Sequence, residues 1–204
     1  MDLVAEGFGK YAIVGASGAG KSTLISLLGG FIAPDRGRIV VDGAPLPDFK
    51  QEGWQRQIVY IPQDPYLVHA TVRENIAFYR PEATSAEVDR AVRVVGLDDL
   101  VAELPEGLDT VVGEGARTLS GGQAQRIALA RAFLDDTRRI LLFDEPTAHL
   151  DIETEMELKE RMLPLMEGRL VFFATHRLHW LHDMDKIVVL EDGRIAELGT
   201  LDEL

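Results

Sequence analysis

Two stretches of this sequence place glycines directly before a helix, and the first of them could bind a nucleotide. Residues 15–23, GASGAGKST, fit the pattern G-x-x-x-x-G-K-[ST]. A loop of this kind curls its backbone N–H groups around phosphate oxygens, the lysine reaches the β- and γ-phosphates, and the hydroxyl serves Mg²⁺. We therefore expect the phosphates of ATP to contact Gly15, Ala16, Ser17, Gly18, Ala19, Gly20, Lys21, Ser22 and Thr23.

The second stretch, RTLSGGQAQRIALARA at residues 117–132, opens a helix with a serine and two glycines. The start of a helix attracts anions because its first N–H groups and the positive end of its dipole point outward. The phosphates bound by this chain are already enclosed by the first loop. We therefore expect this helix start to face a phosphate on a second molecule through Ser120, Gly121, Gly122 and Gln123.

Two carboxylates follow an apolar run in the stretch RILLFDEP, residues 139–146. A phosphate-binding loop needs a carboxylate at the end of a buried strand to hold Mg²⁺ through water, and Asp144 suits that role. Glu145 comes next, where it could face the γ-phosphate and act as the general base for an attacking water. The alternative is a solvated acidic turn without chemistry.

The elements that must position these residues alternate between short apolar bursts and helical patterns. Such bursts are typical of strands buried on both faces, and the alternation predicts an α/β fold with a mostly parallel sheet. We predict strands at 11–15, 38–42, 57–62, 139–145, 169–175 and 186–192. We predict helices at 21–29, 72–79, 86–95, 122–135, 152–167 and 177–183. The turn EDGR at 191–194 predicts a hairpin that pairs 186–191 with 194–198.

The stretch 65–118 contains helical patterns without a convincing buried strand. We expect one domain, 1–204, in which residues 1–64 and 119–204 form an α/β core of the P-loop NTPase (RecA-like) type. Residues 65–118 would form an inserted helical subdomain.

Composition excludes several classes of function. The 34 acidic and 21 basic residues give a net charge of −13, which disfavours nucleic acid and anionic membrane surfaces as partners. The absence of cysteine excludes disulfides, thiolate catalysis and cysteine-based zinc sites. No apolar run reaches the roughly 18–20 residues needed to span a bilayer, and the first residues do not form a signal peptide. We therefore expect any membrane association to depend on a partner or on a segment outside this chain.

Six motifs in sequence order resemble the nucleotide-binding domain of ABC (ATP-binding cassette) transporters, over essentially the whole chain. They are the Walker A run at 15–23, the Q-loop glutamine Gln63 in YIPQDP, the signature LSGGQ at 119–123, Walker B ILLFDE at 140–145, the D-loop AHLD at 148–151, and the switch histidine His176 in ATHRL. The resemblance implies the ABC ATPase fold and hydrolysis of ATP with Mg²⁺.

The resemblance also implies roles for residues that spacing alone does not explain. Gln63 would contact Mg²⁺ and the attacking water, and His176 would contact the γ-phosphate. Asp151 would couple the two sites of a head-to-tail dimer of nucleotide-binding domains, identical or different. In that dimer the signature motif would face the partner's phosphate-binding loop.

Two further stretches narrow the resemblance to exporters whose ATPase is fused to a membrane domain. They are TVRENIAF at 71–78 and GLDTVVGEGARTLSGGQ at 107–123, with TVVGEG at 110–115 in the position of the exporter X-loop. The run from the signature to AHLD is most similar to the bacterial heterodimeric exporters of glutathione and cysteine needed for cytochrome bd assembly. The resemblance implies a place on the cytoplasmic side of the inner membrane.

The chain departs from the family pattern in three places. About fourteen residues precede the phosphate-binding loop, so we expect the aromatic residue that stacks on adenine to be missing and place Tyr11 and Phe8 in the core. The last residues stop short of the usual final helix, so we expect a soluble ABC domain trimmed at both ends, without its membrane domain. His149 is bulkier than the small residue usual in the D-loop.

Three other interpretations stay open at this point. They are the separate ATPase subunit of an importer, a soluble ABC-type ATPase of DNA repair, chromosome structure or translation, and a degenerate domain that binds ATP only structurally. The interval between 23 and 119 has no heptad run, which counts against the coiled-coil members of the second group.

Other chemistry-bearing residues have simpler interpretations. Glu155 with Lys159 and Glu157 with Arg161 lie at i, i+4 and predict a solvated helix face. The three histidines of THRLHWLH indicate a surface helix and not a metal site.

Overall fold

The computed structural model describes residues 2–41, 43–45 and 52–204. Its strands are β1 Gly9–Val14, β2 Val40–Val41, β3 Ala44–Pro45, β4 Ile58–Ile61, β5 Ala70–Thr71, β6 Val111–Val112, β7 Ile140–Asp144, β8 Leu170–Ala174, β9 Lys186–Glu191 and β10 Arg194–Gly199. Its α-helices are α1 Lys21–Leu28, α2 Glu52–Gln55, α3 Val72–Ile76, α4 Ser85–Val94, α5 Asp98–Glu103, α6 Gly121–Leu134 and α7 Ile152–Met166. Gly107–Asp109 and Leu178–Asp183 are 3₁₀ helices.

The main sheet has six strands in the order β10-β9-β1-β8-β7-β4. Strand β1 pairs in parallel with β8 on one side and β9 on the other, and β7 pairs in parallel with β8. Strand β10 returns antiparallel to β9. The predicted mostly parallel α/β sheet and its terminal hairpin are therefore confirmed.

The central strands are buried, and most of their residues are apolar. Ala12 and Ile13 of β1 have no solvent exposure, and the rings of Phe143 and Phe173 on β7 and β8 pack edge to face at 5.6 Å. Helix α1 adds Leu24 and Ile25 to this core. The core fixes where each strand ends, and so where the residues that follow each strand lie.

Contacts divide the chain into two compact units. The first holds residues 2–60, 137–145 and 166–204, and the second holds 61–136 and 146–165. The second unit contains α3 to α6, most of α7, and a two-stranded sheet of β5 and β6. This grouping puts α6 and most of α7 with the helical elements, whereas the sequence put them in the core. The predicted limits of the inserted helical subdomain, 65 and 118, stay a prediction.

Several predicted elements differ from the structure. Of the predicted strand 38–42, residues 38–41 do not join the main sheet: Val40 and Val41 form a strand that pairs with β3 in a separate sheet, and Val40 is 48% exposed. Residue 42 lies outside the described residues. The predicted helix 177–183 is a 3₁₀ helix from Leu178 to Asp183. Tyr11 is buried in the core as expected, but Phe8 is 61% exposed, so its placement in the core is wrong.

Candidate nucleotide-binding site

The loop between β1 and α1 encloses the side chain of Lys21. The ammonium group donates to the carbonyl oxygens of Gly15 at 3.0 Å and Ala16 at 3.2 Å, and the residue is only 8% exposed. At Gly15 the loop passes so close to β9 that a Cβ would lie 2.4 Å from the carbonyl oxygen of Leu190. Glycine is therefore required there. The loop holds a cation at its centre, which fits an anionic ligand.

The tip of the β9–β10 hairpin supports this loop. The N–H of Gly193 donates to the carbonyl oxygen of Ala19 at 3.1 Å. Asp192 and Gly193 have φ of 47° and 72°, the positive values that a type I′ turn requires at both central positions. The turn was predictable from the Asp-Gly pair, but its contact with residue 19 joins positions far apart in sequence and gave no local signal.

Ser22 and Asp144 lie side by side, one at the start of α1 and the other at the end of β7. The hydroxyl of Ser22 donates to Oδ1 of Asp144 at 3.0 Å. Burial raises the pKa of Asp144, and the nearby charge of Glu145 acts in the same direction, while the Ser22 hydrogen bond and Lys21 oppose it. A hydroxyl and a carboxylate are hard oxygen donors of the kind Mg²⁺ prefers, so the pair fits that ion.

Glu145 adopts a backbone conformation that is rare for a residue with a side chain. Its φ is 49°, in the left-handed region, and its N–H donates to the carbonyl oxygen of Ala174 on β8 at 2.9 Å. Oε2 of Glu145 lies 3.1 Å from Nδ1 of His176. Because a carboxylate oxygen only accepts, Nδ1 carries the proton in this hydrogen bond. Such strained positions cluster at functional sites.

The parallel sheet explains why these residues meet. Strands β1, β8 and β7 are neighbours that run in the same direction, so their carboxyl ends lie at one edge of the sheet. The phosphate-binding loop follows β1, Asp144 and Glu145 end β7, and His176 follows β8. Ligands of open α/β sheets bind at that edge. Five predicted site residues therefore lie together in the first unit: Lys21, Ser22, Asp144, Glu145 and His176.

The signature residues lie in the second unit, at the start of α6. The hydroxyl of Ser120 accepts the N–H of Gln123 at 3.2 Å, and Oε1 of Gln123 accepts the N–H of Ser120 at 2.9 Å. This capping box occupies the N–H of Gln123, while those of Gly121 and Gly122 have no partner within the helix. The Ser120 hydroxyl keeps its own proton to donate. The helix start therefore offers the donors expected of an anion site.

The remaining predicted residues are also in the second unit. Gln63 is exposed, and its carbonyl oxygen accepts the side-chain amide of Gln125 at 3.4 Å. The carboxylate of Asp151 accepts the N–H of Thr154 at 2.9 Å and its hydroxyl at 2.8 Å, and these hydrogen bonds lower the pKa of Asp151. Gln125, which is fully buried, was missed from the sequence. Its position beside the signature motif, in the run GGQAQR, was the available signal.

A cavity of about 340 Å³ lies beside the start of α6. It is lined by the signature residues, by Arg126, and by residues of the 149–154 segment, all of the second unit. The predicted signature and D-loop residues therefore share one concave surface.

Comparison with known proteins identifies the family. The sequence model described as "ABC transporter" matches residues 2–148, which is most of the chain. The chain belongs to the ABC transporter family. The Walker A, Q-loop, signature and Walker B assignments lie within the matched residues, and the nucleotide-binding fold of the family agrees with the sheet and loop described above.

The curated relatives are proteins that combine ATP-binding and membrane parts or carry out export. The chain is 58% identical over its whole length to the glutathione/L-cysteine transport system ATP-binding/permease protein CydC of Bacillus subtilis, and covers 36% of that protein. It is 43% identical over its whole length to an ATP-dependent lipid A-core flippase of Ralstonia nicotianae, and covers 35% of it. The chain thus spans about a third of the length of these relatives.

A solved structure gives the same result. A bacterial Atm1-family ABC exporter with ATP bound superposes with a TM-score of 0.87 at 42% identity, over 97% of this chain and 34% of that one. The chain is therefore an ABC ATPase domain of the exporter type, with the fold predicted from the sequence. Within the described residues, no helix is both long and apolar enough to cross a bilayer.

Proposed function

We propose that the chain binds ATP with Mg²⁺ at the loop 15–23 and hydrolyses it, with Glu145 as the general base. The observation that carries the proposal is the pair of contacts at the carboxyl edge of the sheet, Ser22 with Asp144 and Glu145 with His176. The assignment of the base also agrees with the unusual backbone of Glu145.

Each side chain of the edge has a separate task in this reaction. The carboxylate of Glu145 accepts a proton from the attacking water, and the N–H of His176 orients that carboxylate. The ammonium of Lys21 exchanges its two loop carbonyls for phosphate oxygens and neutralises charge that develops on them. Ser22 and Asp144 would hold Mg²⁺, which would supply further neutralisation of charge at the phosphates. The predicted roles of Gln63 and Asp151 stay predictions.

The active form in this proposal is a dimer with a second nucleotide-binding domain. The start of α6 presents Ser120, Gly121 and Gly122 to a phosphate bound by the partner's loop. The N–H groups of the two glycines and the hydroxyl proton of Ser120 support this role.

The transport that hydrolysis drives in this proposal is export of small thiols by a membrane domain. The support is the identity of 58% to the glutathione and L-cysteine transport protein, against 43% to the lipid A flippase. The test is ATP-dependent uptake of labelled glutathione and cysteine into inside-out vesicles that contain the complete transporter. Uptake that is absent, or unchanged by the Glu145→Gln substitution, would contradict the assigned cargo.

The hydrolytic role is tested by the Glu145→Gln variant. The amide keeps the shape of the side chain but cannot accept the proton of water, so we expect nucleotide binding to persist while hydrolysis falls by ~10²-fold or more. Phosphate release and binding of a fluorescent ATP analogue measure the two quantities. Glu160→Gln, at an exposed glutamate of α7, is the matched control and should leave both unchanged. Normal hydrolysis by the Glu145 variant would show that another group is the base.

A further inference from the structure

His149 contacts three parts of the second unit at once. Its ring Nε2 lies 3.0 Å from Oδ1 of Asp64, and its backbone N–H donates to Oε1 of Gln125 at 3.0 Å. Its ring also lies against the first residue of α6, because a Cβ built on Gly121 would be 3.1 Å from Cγ of the imidazole. The small residue that the family pattern implies at this position would have no side chain to reach Asp64.

Gln125 extends these contacts into a continuous chain of hydrogen bonds. Its side-chain amide donates to the carbonyl oxygen of Gln63 at 3.4 Å, while its oxygen accepts the N–H of His149. The residue is completely buried in α6. The segments 63–64 and 149–151 are therefore linked twice, through the interior by Gln125 and at the surface by the pair of His149 and Asp64.

The two glycines of the signature allow the 149–151 segment to lie close to the first turn of α6. A Cβ at Gly122 would lie 3.1 Å from the carbonyl oxygen of His149, just as one at Gly121 would press on the ring. The two glycines therefore let the backbone at 149 lie directly on the first turn of α6, besides offering N–H groups. The position of the 149–151 segment depends on this close contact.

We propose that His149 is a positioning residue, which keeps Asp151 at a fixed place relative to Gln63 and the start of α6 by bonding Asp64. The proposal rests on the proposed function, since Gln63, Asp151 and the start of α6 matter for hydrolysis only if that function holds. Asp64 is 87% exposed, and pairs exposed to this degree contribute little to folding stability. The role of the pair is thus to fix geometry, and misplacement of positioning groups lowers the rate of a bound complex.

The rate test compares single and double variants in a steady-state ATPase assay. His149→Ala and Asp64→Ala should each lower kcat about 5- to 20-fold, with KM for ATP within about twofold, because the phosphate-binding loop is untouched. The double variant should be no worse than either single one, since both remove the same link. His149→Gln, whose amide can still donate to Asp64, should recover most of kcat. His182→Ala, in the first unit, is the control for loss of a histidine.

A second measurement does not depend on activity. The N–H of His149 is bonded to Gln125, so we expect its hydrogen exchange to be slow, and Asp64→Ala should accelerate exchange in the peptide containing 149–151 about threefold. If the wild-type protein and the Glu145→Gln variant hydrolysed ATP at the same rate, the proposed function would be refuted. The exchange measurement would then still decide whether the contact between His149 and Asp64 holds the 149–151 segment. The positioning role is overturned if exchange is unchanged in Asp64→Ala, if the two substitutions lower kcat additively, or if His149→Gln is as slow as His149→Ala.

Discussion

Glu155 illustrates how much depends on one side chain. Its spacing to Lys159 predicts a solvated helix face, but the structure contradicts this: Glu155 has no solvent exposure, and Lys159 is only 8% exposed. The carboxylate accepts the hydroxyl proton of Thr147 at 2.5 Å. Residue Thr147 lies between Walker B and the D-loop, so this buried hydrogen bond anchors the stretch that connects the two motifs.

We expect Glu155→Ala to destabilise the protein. The substitution leaves the buried hydroxyl of Thr147 without this carboxylate, and loss of a hydrogen bond to a charged group typically costs about 1.5–3 kcal/mol. Chemical denaturation measures the change in the free energy of unfolding. Glu157→Ala is the matched control on the same helix: Glu157 lies 3.9 Å from Arg161 with its side chain 69% exposed, so its loss should change stability by less than about 0.5 kcal/mol. Equal effects would refute the buried role.

Residue type and spacing predicted Lys21, Ser22, Asp144 and Glu145 as site residues, whereas Gln63, His176 and Asp151 were predicted only from the family resemblance. Lys21 and Glu145 were found because phosphate chemistry requires those groups beside a strand end. The contacts of Asp64 with His149 and of Thr147 with Glu155 were not predicted, because the sequence pattern does not say which side of a helix or loop is buried. Periodicity fixes which residues share a face, and only packing fixes what that face meets.

Among the elements, the β9–β10 hairpin has a task that its sequence did not indicate. Its tip donates a hydrogen bond to the phosphate-binding loop at Ala19. The hairpin was predicted from an Asp-Gly turn next to an apolar run, and buried strands such as β7 were predicted from apolar runs alone. Both predictions rest on local sequence. The prediction for 38–41 was wrong because an apolar run does not show which sheet it joins: Val40 and Val41 pair with β3, and only Val41 packs against the main core.

We expect Gly193→Ala to weaken nucleotide binding several-fold. The space around a Cβ at Gly193 is open, so the effect comes from its φ of 72°, which costs a residue with a side chain about 1 kcal/mol and shifts the N–H that supports Ala19. Titration with a fluorescent ATP analogue measures the affinity. Gly168→Ala has nearly the same φ, 69°, and equally open space, but no contact with the loop. The Gly168→Ala variant should lose similar stability but keep its affinity for the ATP analogue. Equal affinities in the two variants would show that the hairpin does not support the nucleotide-binding site.

At the scale of the whole molecule, the two helix starts belong to one proposal. The loop before α1 binds the phosphates of its own chain's nucleotide, and the start of α6 binds the phosphate of the partner's nucleotide. We expect Ser120→Arg to abolish ATP-dependent dimers in the Glu145→Gln background while sparing ATP binding by the monomer. Arginine adds bulk and also removes the hydroxyl that caps α6 and would donate to the phosphate. Ser120→Ala removes the hydroxyl without adding bulk, so it is the control and should keep a measurable dimer through the N–H groups of the two glycines. Sedimentation with and without ATP distinguishes the two variants. A stable Ser120→Arg dimer would refute the shared site.

The position of β1 in the sheet has a consequence for how the protein is made. Gly9 pairs with Leu170 and Tyr11 with Lys186, so the strand that carries the phosphate-binding loop is synthesised long before the strands on either side of it. Contacts this distant in sequence form slowly. The loop 15–23 can take its final position only after β8 and β9 have been made and have paired with β1, so nucleotide binding follows that pairing.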